Sequence, residues 1–195
     1  SQLNPHFIFN ALNSVKVLID ENPQTAKASI DQLSNILRNS LMMDKKKVIP
    51  LSEELAIVKD YLALEKVRFE ERLEIHLDID ENALSFKVPP MMIQTLVENG
   101  IKHGIAKLKN GGKISLHAVL ENGNLHVEIE NSGHYHPPSS GMAKESGYGI
   151  RSTLQRLELL YKQKASFSIE NSNKETVRVT LKIPSWEESE LVSYS

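Results

Sequence analysis

The spacing of apolar residues divides the chain into two parts. From residue 5 to about residue 70, apolar residues recur at the interval of a helix with one buried face, and the first glycine occurs at position 100. Two apolar stripes flank the break "ENPQ" (21–24), and they comprise Ile8, Leu12, Val15 and Ile19, widened by Ala11 and Leu18, and then Ala26, Ile30, Leu33, Leu37 and Leu41. This pattern predicts an antiparallel helical hairpin over residues 5 to 42. Since a hairpin cannot bury two wide apolar faces by itself, we expect it to pair with a second copy in a four-helix bundle.

A third helix is expected after the basic turn "DKKKVIP" (44–50). Ser52 is a residue type that often caps helices, and the helix would extend to about Phe69. Glu53 and Glu54 would then lie in the first turn, where negative charge interacts favourably with the helix dipole.

After residue 72 the apolar period changes from about 3.6 to 2. Apolar and polar residues alternate in four segments, which are 73–80, 114–120, 125–129 and 177–183. The stretch "ENGN" (121–124) has the composition of a hairpin turn. Helices predicted at about 90–103 and 149–163 can cover one face of the resulting sheet.

The two periods together predict an α+β protein, in which an N-terminal helical hairpin region precedes an α/β sandwich with a mixed, mainly antiparallel sheet. We expect the helical region to occupy residues 1–71 and the sandwich residues 72–186. Residues 187–195 would form an acidic tail.

Composition narrows the possible functions. The chain of 195 residues is 40% hydrophobic, enough for a real core, and its 23 basic and 25 acidic residues give a formal charge of −2. Without a basic stripe it offers no electrostatic footprint for nucleic acid. The absence of cysteine excludes disulfides, thiolate metal sites and a cysteine nucleophile. Because no run of about 18 apolar residues and no signal-peptide pattern is present, we expect a soluble piece.

Polar residues cluster on one side of the helix that contains "LVENGIKHG" (96–104). On a helical wheel, an arc of about 140° holds four of them, which are Glu98, Asn99, Lys102 and His103. The opposite arc is apolar and comprises Ile93, Leu96, Val97 and Ile101. Taken alone, this pattern is equally typical of an ordinary solvated helix face.

Two glycine motifs follow along the chain. The predicted strand ends in "IENSG" (129–133), and "SGYGI" (146–150) opens a helix, where free backbone N–H groups and the helix dipole favour phosphate. The polar loop between them is long enough to be a lid. Taken alone, each glycine motif is equally typical of an ordinary turn or strand end. His134 and His136 in this loop supply only two metal ligands, so we interpret the loop as solvated rather than metal-binding.

The order of these motifs resembles the N, G1 and G2 boxes of the GHKL (Bergerat) ATP-binding fold over roughly residues 72 to 184. The resemblance implies ATP and Mg²⁺ as cofactors. In that family pattern Asn99 would hold Mg²⁺ through its amide oxygen, and Glu98 would polarise water or help to organise the metal. Lys102 and His103 would face the phosphates. An amide together with phosphate oxygens suits Mg²⁺, which is a hard cation.

The same resemblance assigns the glycine motifs. Asn131 and Gly133 would border the adenine, while Gly147, Gly149 and the N–H groups that follow, beginning at Ile150, would hold the phosphates beneath the lid. Two positions depart from the family pattern. Asn131 replaces the aspartate that accepts a hydrogen bond from the adenine amino group, and Tyr135 stands where a second glycine is frequent. A neutral acceptor makes a weaker bond than a carboxylate, so we expect modest ATP affinity.

The N-terminal stretch "NPHFIFNALNS" (4–14) places His6 and Asn10 away from the first apolar stripe, so the imidazole is reachable. This stretch resembles the H box of LytS/YehU-type sensor histidine kinases, in which the histidine is the phosphoacceptor. Three further stretches are similar to that family, namely "LRNSL" (37–41), "LEKVRFEERL" (64–73) and "LQRLELLY" (154–161). Asn10 is our candidate for orienting the imidazole or a hydrolytic water. We interpret Phe7 and Phe9 as packing that fixes the helix.

This resemblance implies a sensor histidine kinase of a two-component system. The γ-phosphoryl group of Mg-ATP would pass to His6 and then to an aspartate of a response regulator of the LytTR type. Residues 1–71 would dimerise, and a membrane anchor would precede residue 1, with this piece on the cytoplasmic side of the inner membrane. Two alternatives remain open: a non-catalytic dimerisation and docking module with a vestigial nucleotide pocket, and a GHKL ATPase that uses Glu98 on water.

Overall fold

The computed structural model of the chain describes residues 5–43, 46–136 and 148–186. Within these ranges it has five α-helices, which are α1 (Pro5–Glu21), α2 (Pro23–Met43), α3 (Leu51–Phe69), α4 (Met92–Asn99) and α5 (Tyr148–Tyr161). The strands of the same ranges are β1 (Ile49–Pro50), β2 (Leu73–Ile79), β3 (Lys87–Val88), β4 (Gly112–Glu121), β5 (Asn124–Ser132), β6 (Ser166–Asn173) and β7 (Thr176–Pro184). No helix in the described ranges is both long and apolar enough to cross a membrane.

The main sheet has five strands in the order β2-β4-β5-β7-β6. Strands β2 and β4 run parallel, whereas the other neighbouring strands run antiparallel. The predicted α+β class with a mixed, mainly antiparallel sheet is therefore confirmed. The turn between β4 and β5 has Asn122 at φ 51° and Gly123 at φ 76°, the left-handed pair that a two-residue hairpin turn requires.

One face of this sheet forms the core with the helices. Strand β5 alternates strictly between buried and half-buried positions, and its buried residues Leu125, Val127 and Ile129 are at most 1% exposed. Helices α4 and α5 cover this face with Ile93 and Leu157, among others. Strand β2 follows the alternation less well, and Leu77 is 37% exposed because this strand lies at the edge of the sheet.

Two further contacts involve the helices that flank the core. At the end of α5, Tyr161 packs edge-to-face against Trp186, with ring centroids 5.9 Å apart. At the other side, α3 packs against α2 and also against α4. The boundary expected near residue 71 thus falls at the end of a helix that contacts both parts of the chain.

The hairpin α1–α2 forms as predicted, but only part of each predicted apolar stripe is turned inward. Helix α1 buries Phe7, Ala11 and Val15, and α2 buries Ala26, Ser29, Leu33, Ile36 and Ser40. Four members of the predicted stripes are exposed instead, namely Leu12 (47%), Ile19 (53%), Ile30 (47%) and Leu41 (69%). Helix α3 packs against the side of the hairpin that carries Phe7, so the rest of the wide apolar surface faces solvent.

The start of α3 also differs from the prediction. Pro50, and not Ser52, precedes the first turn, and no side chain caps it. The β1–β3 pairing brings residues 84–86 against this turn, and their backbone carbonyls accept hydrogen bonds from N–H groups of the turn. Leu51 N–H donates to Phe86 O at 2.8 Å, and Ser52 N–H donates to Leu84 O at 2.9 Å. Glu53 and Glu54 lie in the first turn as predicted, and Glu54 is fully buried there.

Candidate active site

A pocket of about 670 Å³, including the part open to solvent, lies between α4, the end of β5 and the first turn of α5. Its apolar wall comprises Leu96, Ile150, Ile169, Val177 and Val179. Its polar wall includes Asn99, His103, Lys107 and Asn131, and the segment 134–136 closes one side. A cavity with apolar walls and a few convergent polar groups is the usual form of a small-molecule site.

Helix α4 widens into a π-helical turn, Gly100–Gly104, at the base of this pocket. A Cβ atom on Gly100 would lie 2.8 Å from Asn131 Oδ1, and one on Gly104 would lie 2.3 Å from Asn131 Nδ2. Neither position tolerates a larger residue, because the amide of Asn131 packs directly against the helix backbone. Such π-helical turns occur frequently at functional sites.

Asn131 has a fixed orientation at the base of the pocket. It is 4% exposed, and its Nδ2 donates to the carbonyl oxygen of Ser132 at 3.0 Å. With the amide nitrogen bound in this way, Oδ1 is the group that can accept a bond from a ligand. Gly133 next to it has φ 133°, and a Cβ there would lie 2.7 Å from the Cα of Gly104. Gly133 therefore packs behind the pocket and is not among its described lining residues.

The first turn of α5 lies directly against Asn99. A Cβ atom on Gly149 would lie 3.3 Å from Asn99 Nδ2 and 2.9 Å from Thr95 Cγ2. The same Nδ2 donates to Thr95 O at 2.9 Å, which leaves Oδ1 of Asn99 as the acceptor of this side chain. The structure thus brings together two motifs that are 50 residues apart in the sequence. Gly147 lies outside the described residues.

The remaining predicted site residues lie in or near the pocket. His103 is half-buried and lines the pocket, whereas the exposed Lys102 and the half-buried Glu98 are not among its described lining residues. Lys107, which the sequence reasoning did not select, lies in the pocket wall. No cluster of three or more His, Asp or Glu side chains suited to a metal occurs in the described part of the chain.

The start of α4 is held by a buried carboxylate. Glu54 of α3 accepts hydrogen bonds from Met91 N–H at 2.8 Å and from Gln94 N–H at 3.1 Å. Burial raises the pKa of Glu54 from 4.5 to about 7, although these N–H groups and the positive charge of Arg156 act in the opposite direction. The sequence reasoning placed Glu54 at a helix dipole and missed this contact, which links residues about 40 positions apart.

The histidine of the N-terminal motif lies on the exposed side of α1. Its ring nitrogen Nδ1 is 3.1 Å from Nδ2 of Asn10, one turn further along the helix. Phe7 turns inward, is 5% exposed, and packs on the ring of Tyr61 with centroids 4.8 Å apart. Phe9, which we expected to pack as well, is 66% exposed, because it lies on the opposite side of the helix from Phe7.

Comparisons with known proteins agree with this arrangement. Residues 1–73 match a family model described as histidine kinase. Over 193 residues the chain is 34% identical to the sensor protein LytS of Enterococcus faecalis, covering 94% of this chain and 33% of the relative. It is 32% identical over 185 residues to the sensor histidine kinase BtsS of Escherichia coli, covering 94% of this chain and 32% of the relative. The chain spans about a third of the length of these curated relatives.

Solved structures share the fold. The histidine kinase domain of the blue-light activated histidine kinase of Erythrobacter litoralis has a TM-score of 0.53 and 18% identity, covering 83% of this chain and 75% of that chain. Full-length ShkA, solved in complex with AMPPNP, has a TM-score of 0.51 and 12% identity, covering 88% of this chain and 39% of that chain.

A helical hairpin with an exposed histidine, joined to a sheet-and-helix pocket, defines the core of a histidine kinase. The matches in sequence extend over nearly the whole chain and include several LytS proteins. The chain belongs to the LytS-type sensor histidine kinases.

Proposed function

We propose that this chain is the kinase core of a two-component system, which transfers the γ-phosphoryl group of ATP to His6 and then to an aspartate of a response regulator of the LytTR type. One observation carries the proposal. The same chain contains a solvent-facing imidazole on α1 and a pocket at which Asn99 meets the first turn of α5. A phosphoacceptor and a phosphate-binding helix N-terminus are the two parts that such a reaction needs.

The pocket has suitable groups for each part of ATP. Its apolar wall can hold the base, and Oδ1 of Asn131 can accept a bond from the exocyclic amino group of adenine, with Gly133 supporting the asparagine from behind. The N–H groups of Gly149 and Ile150 lie in the first turn of α5, where phosphate binds favourably. AMPPNP in the ShkA structure is consistent with nucleotide in this fold.

Basic side chains that can contact the phosphates lie in or beside the pocket. His103 and Lys107 line it, and Lys102 lies on the adjoining exposed surface. Mg²⁺ fits Asn99, whose Oδ1 is a hard oxygen donor; because the described residues offer no carboxylate cluster, phosphate oxygens and water would complete the coordination. Bound Mg²⁺ would neutralise charge that develops on the phosphates during transfer.

In the proposed reaction a lone pair on the His6 imidazole attacks the γ-phosphorus. A nitrogen–phosphorus bond forms while the bond from phosphorus to the β,γ-bridging oxygen breaks, and ADP leaves with that electron pair. Asn10 contacts Nδ1, so we assign the attack to Nε2. As placed, Nδ2 of Asn10 faces Nδ1 and can donate to it, so attack from Nε2 requires the other tautomer. A flip of the Asn10 amide would let its Oδ1 accept from Nδ1–H and leave the lone pair on Nε2. Glu98, on the polar side of α4, is the proposed acceptor of the released proton or the group that orders water near the metal.

We also propose that two copies associate through the hairpin. Seven large apolar side chains on α1 and α2 are at least 47% exposed, namely Phe9, Leu12, Val17, Ile19, Ile30, Leu41 and Met42. An apolar surface of this kind on two adjacent helices favours a four-helix bundle. We propose that residues 1–71 form the dimerising and phosphoacceptor region and residues 72–186 the ATP-binding unit, with α3 at the boundary in contact with both α2 and α4. The relatives are longer than this chain, and we propose that a membrane anchor precedes it in the whole protein.

Incubation with γ-labelled ATP and Mg²⁺ tests the kinase reaction. We expect an acid-labile, base-stable label that is lost in His6→Ala and retained in His117→Ala, a matched variant of an exposed histidine on β4. No label on the wild type at millimolar ATP would overturn the proposal in favour of a docking module. Steady phosphate release that survives His6→Ala but is lost in Glu98→Ala would instead indicate an ATPase.

A further inference from the structure

Helix α3 has a row of buried polar side chains, and the first of them, Glu54, contacts the start of α4. On α3, Glu54, Tyr61 and Glu65 lie on one face at helical spacing, and each is at most 2% exposed. On α4, Gln94 is 1% exposed, and its side chain has no hydrogen-bond partner among the described residues. Burying a polar group costs free energy unless it is hydrogen-bonded, so a row of this kind requires an explanation.

Tyr61 occupies the middle of this row and contacts Phe7 of α1 and Glu65 of its own helix. Its ring packs on Phe7 of α1 with centroids 4.8 Å apart and an angle of 38° between the planes. Its hydroxyl donates to the carboxyl of Glu65, which also pairs with Nη2 of Arg68 at 2.6 Å. Burial, together with the negative charges of Glu65 and Glu98, raises the pKa of Tyr61 well above its ordinary value, so the hydroxyl remains a donor.

The contact between Tyr61 and Phe7 lies beside the proposed phosphoacceptor. Phe7 directly follows His6, so the position of the Phe7 ring determines where the first turn of α1 lies. Glu98, whose charge acts on Tyr61, directly precedes Asn99 in the pocket wall. A rotation of α1 that moved the imidazole would have to withdraw Phe7 from Tyr61.

We propose that Tyr61 is a positioning residue for phosphoryl transfer: its ring packs on Phe7 and fixes the turn that carries His6, and its bond to Glu65, one turn further along α3, holds that ring in place. The inference rests on the proposed kinase function. Tyr61 touches neither nucleotide nor imidazole in this scheme, and it acts through Phe7. Displacement of a reacting group by about 1 Å can reduce a rate by about a hundredfold, so a contact of this kind has a measurable kinetic effect.

The test measures the rate of His6 labelling against ATP concentration, at a temperature where circular dichroism shows every variant folded. For Tyr61→Leu and for Phe7→Leu we expect the maximal rate to fall by about ten- to a hundredfold with the KM for ATP within twofold of the wild type. The double variant should be no slower than the slower single variant, because both changes remove one contact. Tyr61→Phe, which keeps the ring, should recover most of the rate lost in Tyr61→Leu.

Tyr161→Leu is the matched control, since Tyr161 is also a buried tyrosine but packs on Trp186 at the end of α5. A purely structural role predicts equal maximal rates for Tyr61→Leu and Tyr161→Leu at full folding, and that result would overturn the inference. A faster rate in Tyr61→Leu would overturn it too, because the contact would then restrain the transfer. If the wild type itself carries no label on His6, the proposed function fails before Tyr61 is tested.

Discussion

Replacing Glu54 with glutamine removes a buried negative charge from the start of α4 and keeps the size of the side chain. The wild-type carboxylate accepts from Met91 N–H and Gln94 N–H, and burial raises its pKa from 4.5 to about 7. An acid whose pKa is raised on folding holds its proton more tightly in the native than in the unfolded chain. Its contribution to stability is therefore fully present below about pH 4.5 and is lost as the pH rises through about 7.

The size of this loss follows from the two pKa values. The rise from 4.5 to about 7 corresponds to about 3 kcal/mol in all. Part of it is already lost at pH 5, so a rise from pH 5 to pH 8 should lower the free energy of unfolding by roughly 2–3 kcal/mol through this group. Glu54→Gln has no proton to lose, so its stability should lack this component.

Urea unfolding followed by far-ultraviolet circular dichroism, at half-unit steps from pH 5 to pH 8, measures the difference between wild type and Glu54→Gln. The glutamine variant should gain on the wild type as the pH rises, since all other titrating groups cancel in the difference. Glu53→Gln is the matched control, because Glu53 lies one residue away in a surface pair with Lys46. A wild-type-minus-Glu54→Gln difference that stays constant within about 0.5 kcal/mol over this range would refute the argument from burial.

Three other changes test the pocket and the hairpin. Gly104→Ala should lose about 2–4 kcal/mol of stability, because the new Cβ would lie 2.3 Å from Asn131 Nδ2, and calorimetry should detect no binding of a nonhydrolysable ATP analogue. The control is Gly123→Ala, at a left-handed position with nothing within 4 Å of the new Cβ. It should cost about 1 kcal/mol of stability and leave binding of the analogue intact. Asn131→Asp should tighten binding of the ATP analogue, because a carboxylate is a stronger acceptor than an amide. It should also lower the Tm, because the bond from Nδ2 to the carbonyl of Ser132 is lost. Weaker or unchanged binding of the analogue would contradict the proposed adenine contact. The variant Leu12→Glu/Ile30→Glu should be monomeric by light scattering, whereas an unchanged dimer mass would exclude this face as the interface.

Apolar periodicity predicted most of the sheet and all of the long helices. Central strands such as β5 have one buried face, so their alternation is strong. Strand β6 was missed because it lies at the edge of the sheet and its half-exposed sequence "SFSIENSN" alternates only weakly. The β1–β3 pair escaped prediction because two residues are too few to show a period.

The choice of the buried face on α1 could not be predicted from the helical wheel. Both sides of this helix contain large apolar residues, and the wheel identifies them without saying which neighbour each side meets. Phe7 faces α3 of the same chain, whereas Leu12 remains exposed. The difference is set by tertiary packing, which a local pattern does not contain.

The candidate site was predictable where a motif is local and unpredictable where it depends on distant contacts. Asn99, His103 and Ile150 were selected from short motifs, and they do line one pocket. The close packing of Gly104 on Asn131 joins residues 27 positions apart, so the sequence alone does not reveal why this glycine is needed. Lys107 lies in a 3₁₀ turn beyond the predicted helix and therefore fell outside the helical wheel.

The edge-to-face pair of Trp186 and Tyr161 has a practical consequence. Trp186 is the single tryptophan of the chain, and it stands at one end of α5 while the other end touches Asn99. Its emission spectrum consequently reports on one location, without any attached dye. Stopped-flow fluorescence on the unmodified polypeptide can thus follow, in real time, whether this helix shifts when a ligand arrives.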